Sequence, residues 1–519
     1  MHKQKYMNKI FLIITGFMVI LIMPGCTKSF LEQTNPNSVP VSANYQTEND
    51  VIGGLMGCYQ AINSSNCKGE SAQIWTDERS DDVNITDNQS NNGEPFQFSA
   101  FSLVPSNTYL YSHWSALYTP ISRANLVLSV INTNSSITYS SDSAKQQYIA
   151  ELKFIRAMMY FDLVREFGGV PLVTDRLTTT QQVAALTYRE TRENVYNQIV
   201  KDLTDVVNSK IPVVQSAANK GRVSLQAANA LLGQVYLTMG TTLSTSSAAT
   251  NFANAKTYLL ACYNMRTFNN LSDILYTDVF NVAKKQTCPE IILQIPYLQG
   301  DANYSSSLAK NNQAKGETIN SQYVATGAGY PLTNDLLNEF ETGDIRTSFS
   351  IKYAADPSVK SYFVTKFRDA SSAAGPLGYG GNDWILMRYA DVILNLAEVS
   401  LYLNDNASAI TYLNMVRARA GMPDYATMLT NPAYAASYPT LKLAILHERR
   451  VELCFEHHRW HDLLRFFNIT DLVAYFHAKS QANYNNCPLT NFTTKDEYFP
   501  IPLTEFNLNP TGMAQNPGY

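Results

Sequence analysis

The residues best equipped for chemistry cluster in two places. His447 to Phe466 is the most charged stretch of the chain, and its Glu456, His457, His458, His461 and Asp462 are side chains that could ligate a metal ion. A zincin needs two histidines four apart with glutamate directly after the first, so that both imidazoles share a helix face. His457 and His461 have that spacing, but His458 stands where the glutamate is required. Glu448, Glu452 and Glu456 recur every four residues with arginines between them, the pattern of ion pairs along a packed helix. The stretch therefore reads as a structural charge network, with no metal and no other cofactor. Catalytic motifs are missing elsewhere too: there is no Gly-x-Ser-x-Gly elbow and no glycine-rich phosphate loop. Glu78, Asp81 and Asp82 could cleave a glycoside only at a fixed separation, and acidic loop residues are usually solvated. The same loop, with Asn84 and Asp87, lacks the ordered spacing of an EF-hand calcium site.

The second place is aromatic. Trp75 lies between Gln73 and Asp82 in a polar run, so one ring has polar partners on both sides. Sugar rings present flat C–H faces that pack on tryptophan and tyrosine, while Asp, Asn and Arg bond their hydroxyls. The expected ligand site is Trp75 with Asp77 and Arg79, facing Tyr304, Tyr323, Tyr330 and Tyr379 of a tyrosine-rich insertion. The competing reading makes Trp75 a plug between loop and core. Trp114 and Trp460 fall on helical faces and read as core.

These groups need a frame, and the apolar periodicity supplies a helical one. Glu48 to Ile62 and His113 to Ile131 read as helices, the latter with Trp114, Leu117, Ile121 and Leu128 on one side. In the clearest helix, Tyr148, Leu152, Ile155, Met159 and Leu163 recur at spacings of three and four. Ser143 with Gln146 forms a capping box at its start, and Gly168, Gly169 and Pro171 end it. Further helices are predicted from Thr191 towards Pro212, from Ser224 to Gly240 and from Asn251 to about Met265. Residues 232–263, with a Ser/Thr-rich insertion between their helices, and 385–420, whose first helix begins at Trp384, resemble tetratricopeptide units. Glu290 to Pro296 alternates like a short strand, and the residues after it are rich in Gly, Asn, Ser and Tyr. Long irregular segments on a rigid scaffold are where binding usually sits. The fold class is mostly α: a tetratricopeptide-like helical-repeat scaffold with a loop-rich ligand-binding insertion.

Compartment follows from the first residues. His2, Lys3, Lys5 and Lys9 precede an apolar run from Ile10 to Met23, and Gly25-Cys26 follows. The run is too short to span a bilayer comfortably and has the layout of a signal peptide. A cysteine at the cleavage point resembles the lipobox of bacterial lipoproteins, which makes Cys26 the lipid attachment. The net charge of −4, with 16% charged residues, offers no basic field to nucleic acid. Cys58, Cys67, Cys262, Cys288, Cys454 and Cys487 lack CxxC spacing. Cys58 and Cys67 are close enough to pair, or are buried thiols.

Six motifs then recur in a recognisable order. They are Trp114 to Asn125, Ala150 to Pro171, Phe340 to Arg346, Arg388 to Glu398, Glu448 to Arg465 and Pro500 to Tyr519. Their wording and order, with the lipid-attachment cysteine, resemble the SusD/RagB family of outer-membrane nutrient-binding lipoproteins. The resemblance implies a lipid-anchored, surface-exposed protein of the outer membrane. Its function would be to capture an oligosaccharide without catalysis and deliver it to a SusC-like TonB-dependent transporter. Peptide capture within the same family is the alternative, and a secreted glycoside hydrolase lies further off. The implied layout is a signal peptide at 1–25, a tether at 26–47 and one domain at 48–519. Within that domain the scaffold would be 113–290 and 384–470, and the loop-rich binding half 63–112 and 291–383. One departure is His457, where the family usually has glycine.

Overall fold

The structure, a computed structural model, describes residues 41–519 except 70–71, 84, 86, 319–323, 326–331 and 486. Cys26, Tyr323, Tyr330 and Asn84 therefore lie outside the described residues. Helices α1 (Glu48–Ile62), α2 (Thr108–Thr133) and α3 (Asp142–Phe167) pack in sequence order. After the short α4 (Thr180–Leu186), α5 (Arg192–Val207) lies against α3, α6 (Leu225–Thr242) against α5, and α7 (Thr245–Asn264) against α6. Then α8 (Tyr389–Tyr402) packs on α7, and α9 (Asn406–Arg419) and α10 (Leu441–Leu453) pack on α8. Each helix leans on its neighbour in the chain, as in α-solenoids. Three shorter helices complete the set used below: α11 (Arg459–Phe466), α12 (Ile469–His477) and α13 (Leu503–Leu508). No helix among the described residues is long and apolar enough to cross a membrane.

Capping chemistry sets the helix starts and corrects three expectations. The cap of α3 is Ser141, not Ser143: Ser141 has extended backbone and its Oγ accepts from Ala144 N at 3.0 Å. Helix α2 begins five residues before the apolar stripe, because Asn107 Oδ1 accepts from Leu110 N at 3.0 Å. Helix α7 begins at Thr245 under a Ser244 cap, so the Ser/Thr-rich run is part of the helix. Its small polar side chains sit on an exposed face that demands no apolar periodicity.

Two short sheets stiffen the inserted region. β1 (Ile291–Ile295) pairs antiparallel with β4 (Trp384–Arg388), and β2 (Ile351–Tyr353) pairs with β3 (Tyr362–Val364). Residues 384–388 are therefore a strand and not the start of a helix; α8 begins only at Tyr389. The run Trp384-Ile385-Leu386-Met387 suits either structure, and the free edge of β1 decides it. The further six cysteines are free and buried, so Cys58 and Cys67 do not pair.

A buried ion network locks the inserted region to the scaffold. Glu448 and Glu452 project from α10 and Glu456 from the turn after it. Glu452 accepts from Arg388 at 2.6 Å, from Arg346 at 3.0 Å and from Arg419. Glu448 accepts from Arg346 at 2.7 Å and Arg417 at 3.0 Å. Glu456 holds Arg388 at 2.7 Å, and Lys366, whose Nζ also donates to the Glu452 and Cys454 carbonyls. The four-residue ladder read from the sequence is thus an ion-pair network, and every one of its carboxylates is buried. Asp81 and Asp82, read as solvated, belong to a second network. Arg459 Nε meets Asp81 at 2.6 Å and Arg450 Nε meets Asp82 at 2.7 Å, with both aspartates fully buried.

Candidate ligand-binding cleft

The structure separates the two halves of the site expected from the sequence. Trp75 is 1% exposed; its ring stacks on His113 at 4.0 Å and meets Phe98 edge-on at 6.4 Å. Arg79 donates to the Asp496 carbonyl and lies over the Trp460 and Phe499 rings at 4.7 and 4.2 Å. Asp77 is buried as well, and burial with Asp82 and Glu78 nearby pushes its carboxyl well above the usual range. The expected exposed platform is thereby corrected: the pull of Arg450 and Arg459 on Asp81 and Asp82 draws the whole 75–82 loop inside.

Of the tyrosine half, Tyr304 stays at the surface. Asp301 Oδ1 accepts from Asn303 N at 2.8 Å and Tyr304 N at 3.0 Å, and Leu298 N bonds the Tyr304 carbonyl at 2.8 Å. This tight loop presents Tyr304 with 63% of its surface exposed. Gly300 N bonds the Tyr379 carbonyl at 2.9 Å, which sets half-buried Tyr379 beside the same loop. Gly300 has φ +78° and a Cβ there would meet the Ala373 carbonyl at 2.9 Å, so only glycine fits. Tyr323 and Tyr330 lie outside the described residues.

Adjoining this loop is a cleft of about 450 Å³. Phe280 and Phe349 form its apolar wall, with Asn281, Gln299, Arg368 and Asp369 around it. Gln299 Nε2 and Gly381 N donate to Asp369 Oδ2 at 2.7 and 2.8 Å, and Ser371 N to its other oxygen at 3.0 Å. Arg368 donates to Gln313 at 2.9 Å and has no carboxylate within 4.0 Å among the described residues. Burial lowers its pKa, which fits a guanidinium lacking an ion-pair partner. Lys366, two residues before Arg368, is fixed by Glu456, so the ion network positions the cleft wall. The sequence offered one cue to this wall, a charged Arg-Asp pair opening the Ser/Ala/Gly run from 370 to 381.

The histidines of the charged stretch occupy a different place. A cavity of about 80 Å³ is lined by Lys68, Trp75, Asp162, Trp384, His457 and His461 among others. His461 Nδ1 and Trp75 Nε1 have no hydrogen-bond partner there. His457 has φ +64°, lies tilted against the Trp384 ring at 4.3 Å and points Nε2 at Asp77 from 3.7 Å. The left-handed backbone accounts for glycine as the family's usual residue, since glycine carries no strain there. Among the described residues, only Glu341, His447 and Glu448 bring three ligand-type atoms within 4.8 Å. His447 has both ring nitrogens engaged, with Glu339 at 2.8 Å and Glu341 at 3.0 Å. Burial opposes its protonation, but these hydrogen bonds outweigh it and hold the pKa near about 9. A doubly engaged imidazolium has no lone pair for a metal.

His461 gives a clear pH signature. Burial holds its pKa well below 6.5, helped by Arg165, Lys68, Arg465 and His458. The unfolded chain binds a proton near pH 6.5 that the folded chain refuses. Its contribution is therefore full above that pH and is lost as pH falls. His461→Gln should flatten the slope of unfolding free energy between pH 5 and 6.5 by about one proton. An unchanged slope would mean that His461 is not a neutral buried group.

Comparisons with known proteins agree along the whole chain. The model of the SusD family matches residues 350–519, and one described as "Starch-binding associating with outer membrane" matches 29–237. "SusD-like protein P2" of Formosa agariphila is 23% identical over 98% of this chain and 99% of its own. A "SusD-like protein" of Bacteroides ovatus is 23% identical over 82% of this chain and 77% of its own. Among solved structures, "Surface glycan-binding protein A from Bacteroides thetaiotaomicron" superposes with TM-score 0.73 at 18% identity, covering 91% of this chain and 100% of that one. A "Laminarin binding SusD-like protein" gives 0.72 at 25% identity, covering 92% and 100%. Two family models met in succession and relatives aligned almost end to end make this chain similar to the SusD family along its length, with the helical fold in common.

Proposed function

We propose that the chain captures an oligosaccharide at the outer-membrane surface and passes it, chemically unchanged, to a SusC-like TonB-dependent transporter. The observation that carries the ligand site is the 450 Å³ cleft, lined by Gln299 of the loop that exposes Tyr304. Its size suits a small-molecule site, which needs apolar walls and a few fixed polar groups. Half-buried Phe349, backed by the buried ring of Phe280, supplies a face for the C–H side of a sugar ring. Arg368 donates, Asp369 accepts and Gln299 does both, the complement of a row of hydroxyls. Relatives whose names state glycan or laminarin binding support a glycan as the ligand class. Capture, not cleavage, fits a cleft with a single carboxylate, already bonded by three donors. The anchor is the acylated Cys26.

Calorimetric titration against a panel of oligosaccharides tests this reading. Tyr304→Ala and Phe349→Ala should each weaken binding by roughly 5- to 100-fold, the equivalent of 1–3 kcal/mol for one apolar face. The melting temperature of Tyr304→Ala should not move, because the ring has little core to leave. Unchanged affinity in both variants would remove the cleft as the site, and cleavage of the bound sugar would overturn the non-catalytic role.

A further inference from the structure

Away from the cleft, a groove of about 380 Å³ lies between α2, the segment after α3, α4 and the C-terminal α13. Tyr118, Pro171, Val183, Leu186 and Leu508 give it apolar walls. Helices α4 and α13 bury none of their residues: Val183 is 50% and Leu508 65% exposed. Beyond the packing of Phe506 of α13 against the core, local ties hold them. Thr179 and Gln182 cap α4 reciprocally, and Leu503 N bonds the Pro105 carbonyl at 2.8 Å. Leu503, the nearby Val104 and Tyr111, one turn before Trp114 on α2, are exposed as well. Exposed apolar surface gathered in one region marks an interaction surface.

One group in the groove states what the partner carries. Glu505 lines it, half-buried, and among the described residues no Lys, Arg or His lies within 4.0 Å of its carboxylate. Among the described residues no hydrogen bond to that carboxylate is found, and burial raises its pKa. A carboxylate drawn among apolar side chains is costly until a cation arrives. We propose that the groove between α4 and α13 docks an apolar segment of a second protein, which places a lysine or arginine against Glu505. This surface shares no residue with the glycan cleft and does not depend on it.

The test uses the full-length chain in its native membrane. A photo-crosslinking benzoylphenylalanine replaces Val183, and the adduct is mapped by mass spectrometry, with exposed Leu275 as the control position. The expected adduct is on another protein, at an apolar segment that contains Lys or Arg, and is not formed from position 275. Glu505→Lys should lower its yield by roughly fivefold or more, the weight of one charge pair reversed, while Glu505→Asp largely preserves it. Affinity for oligosaccharide should stay within about twofold in each variant, so loss of docking and loss of glycan binding are read separately. An adduct only to a second copy, or to residues 26–40 of the same chain, would overturn the proposal. So would no adduct, or a yield indifferent to Glu505→Lys.

Discussion

Replacing Glu452 with alanine is expected to destabilise the fold by about 4 kcal/mol, read as a lower midpoint in urea. The carboxylate is fully buried and faces three guanidinium groups, those of Arg346, Arg388 and Arg419. Removing it leaves those charges in a medium that cannot solvate them, and Arg388 and Arg419 retain only Glu290 and Glu456 as counter-ions. A broken buried pair costs more than an absent one, because the cost is desolvation without compensation. Glu452→Gln keeps the shape and one acceptor, so it should lose less. The same network sets the acid limit of the fold. Burial opposes ionisation of Glu456, but Arg388 and Lys366 win and hold its pKa near about 2. Its stabilisation is therefore complete above the ordinary carboxylate pKa of 4.5 and fades as pH falls towards 2. Because Arg388 lies on β4 and Lys366 leads into Arg368, the Glu452 variant should also loosen the cleft. Glycan affinity should fall alongside stability. A midpoint unmoved by Glu452→Ala would mean that the network contributes nothing to the fold.

What the sequence made legible depends on how far apart the interacting residues lie. The ladder of Glu448, Glu452 and Glu456 was readable because its period is a property of one helix. The helices α1 to α3 and α5 to α9 were readable for the same reason, apart from the starts of α2, α3 and α7; α4, which buries no residue, carries no stripe and was not read. Strand β4 was not readable. Its five residues suit helix or strand equally, and the deciding partner, β1, lies about ninety residues earlier. Asp81 and Asp82 looked like solvated loop residues because the arginines that bury them stand more than 360 positions away. Of the cleft, only the irregular insertion at 291–383 that supplies Gln299, Phe349, Arg368 and Asp369 was legible as a binding region, not the residues themselves. Its walls come from segments around 280, 299, 349 and 368, none of which carries a periodic signal. His457 was different: its departure from glycine was visible in the sequence, and its left-handed backbone is the physical reason for the family's usual choice.

Trp75→Ala is expected to cost about 3–5 kcal/mol of stability and to leave glycan affinity unchanged in the folded fraction. An exposed binding platform would give the reverse, full stability and lost binding, so the two measurements together decide between the roles. The structure favours the plug on three counts. The indole is 1% exposed, it is stacked on His113, and it closes one side of the 80 Å³ cavity. Removing it would join the vacated volume to that cavity and expose Asp77, Asp162 and the histidines to water. Water entering a polar cavity recovers part of the lost contact energy, which puts the expected cost at the lower end of the range. Trp75→Phe should keep most of the stack on His113 and lose the Nε1 atom that has no partner, so its cost should be about 1 kcal/mol. The order wild type, Phe, Ala in urea midpoint, with oligosaccharide titrations superimposable among the three, is the expected result. A midpoint unchanged in Trp75→Ala, with binding abolished, would return Trp75 to the ligand site and displace the Tyr304 cleft.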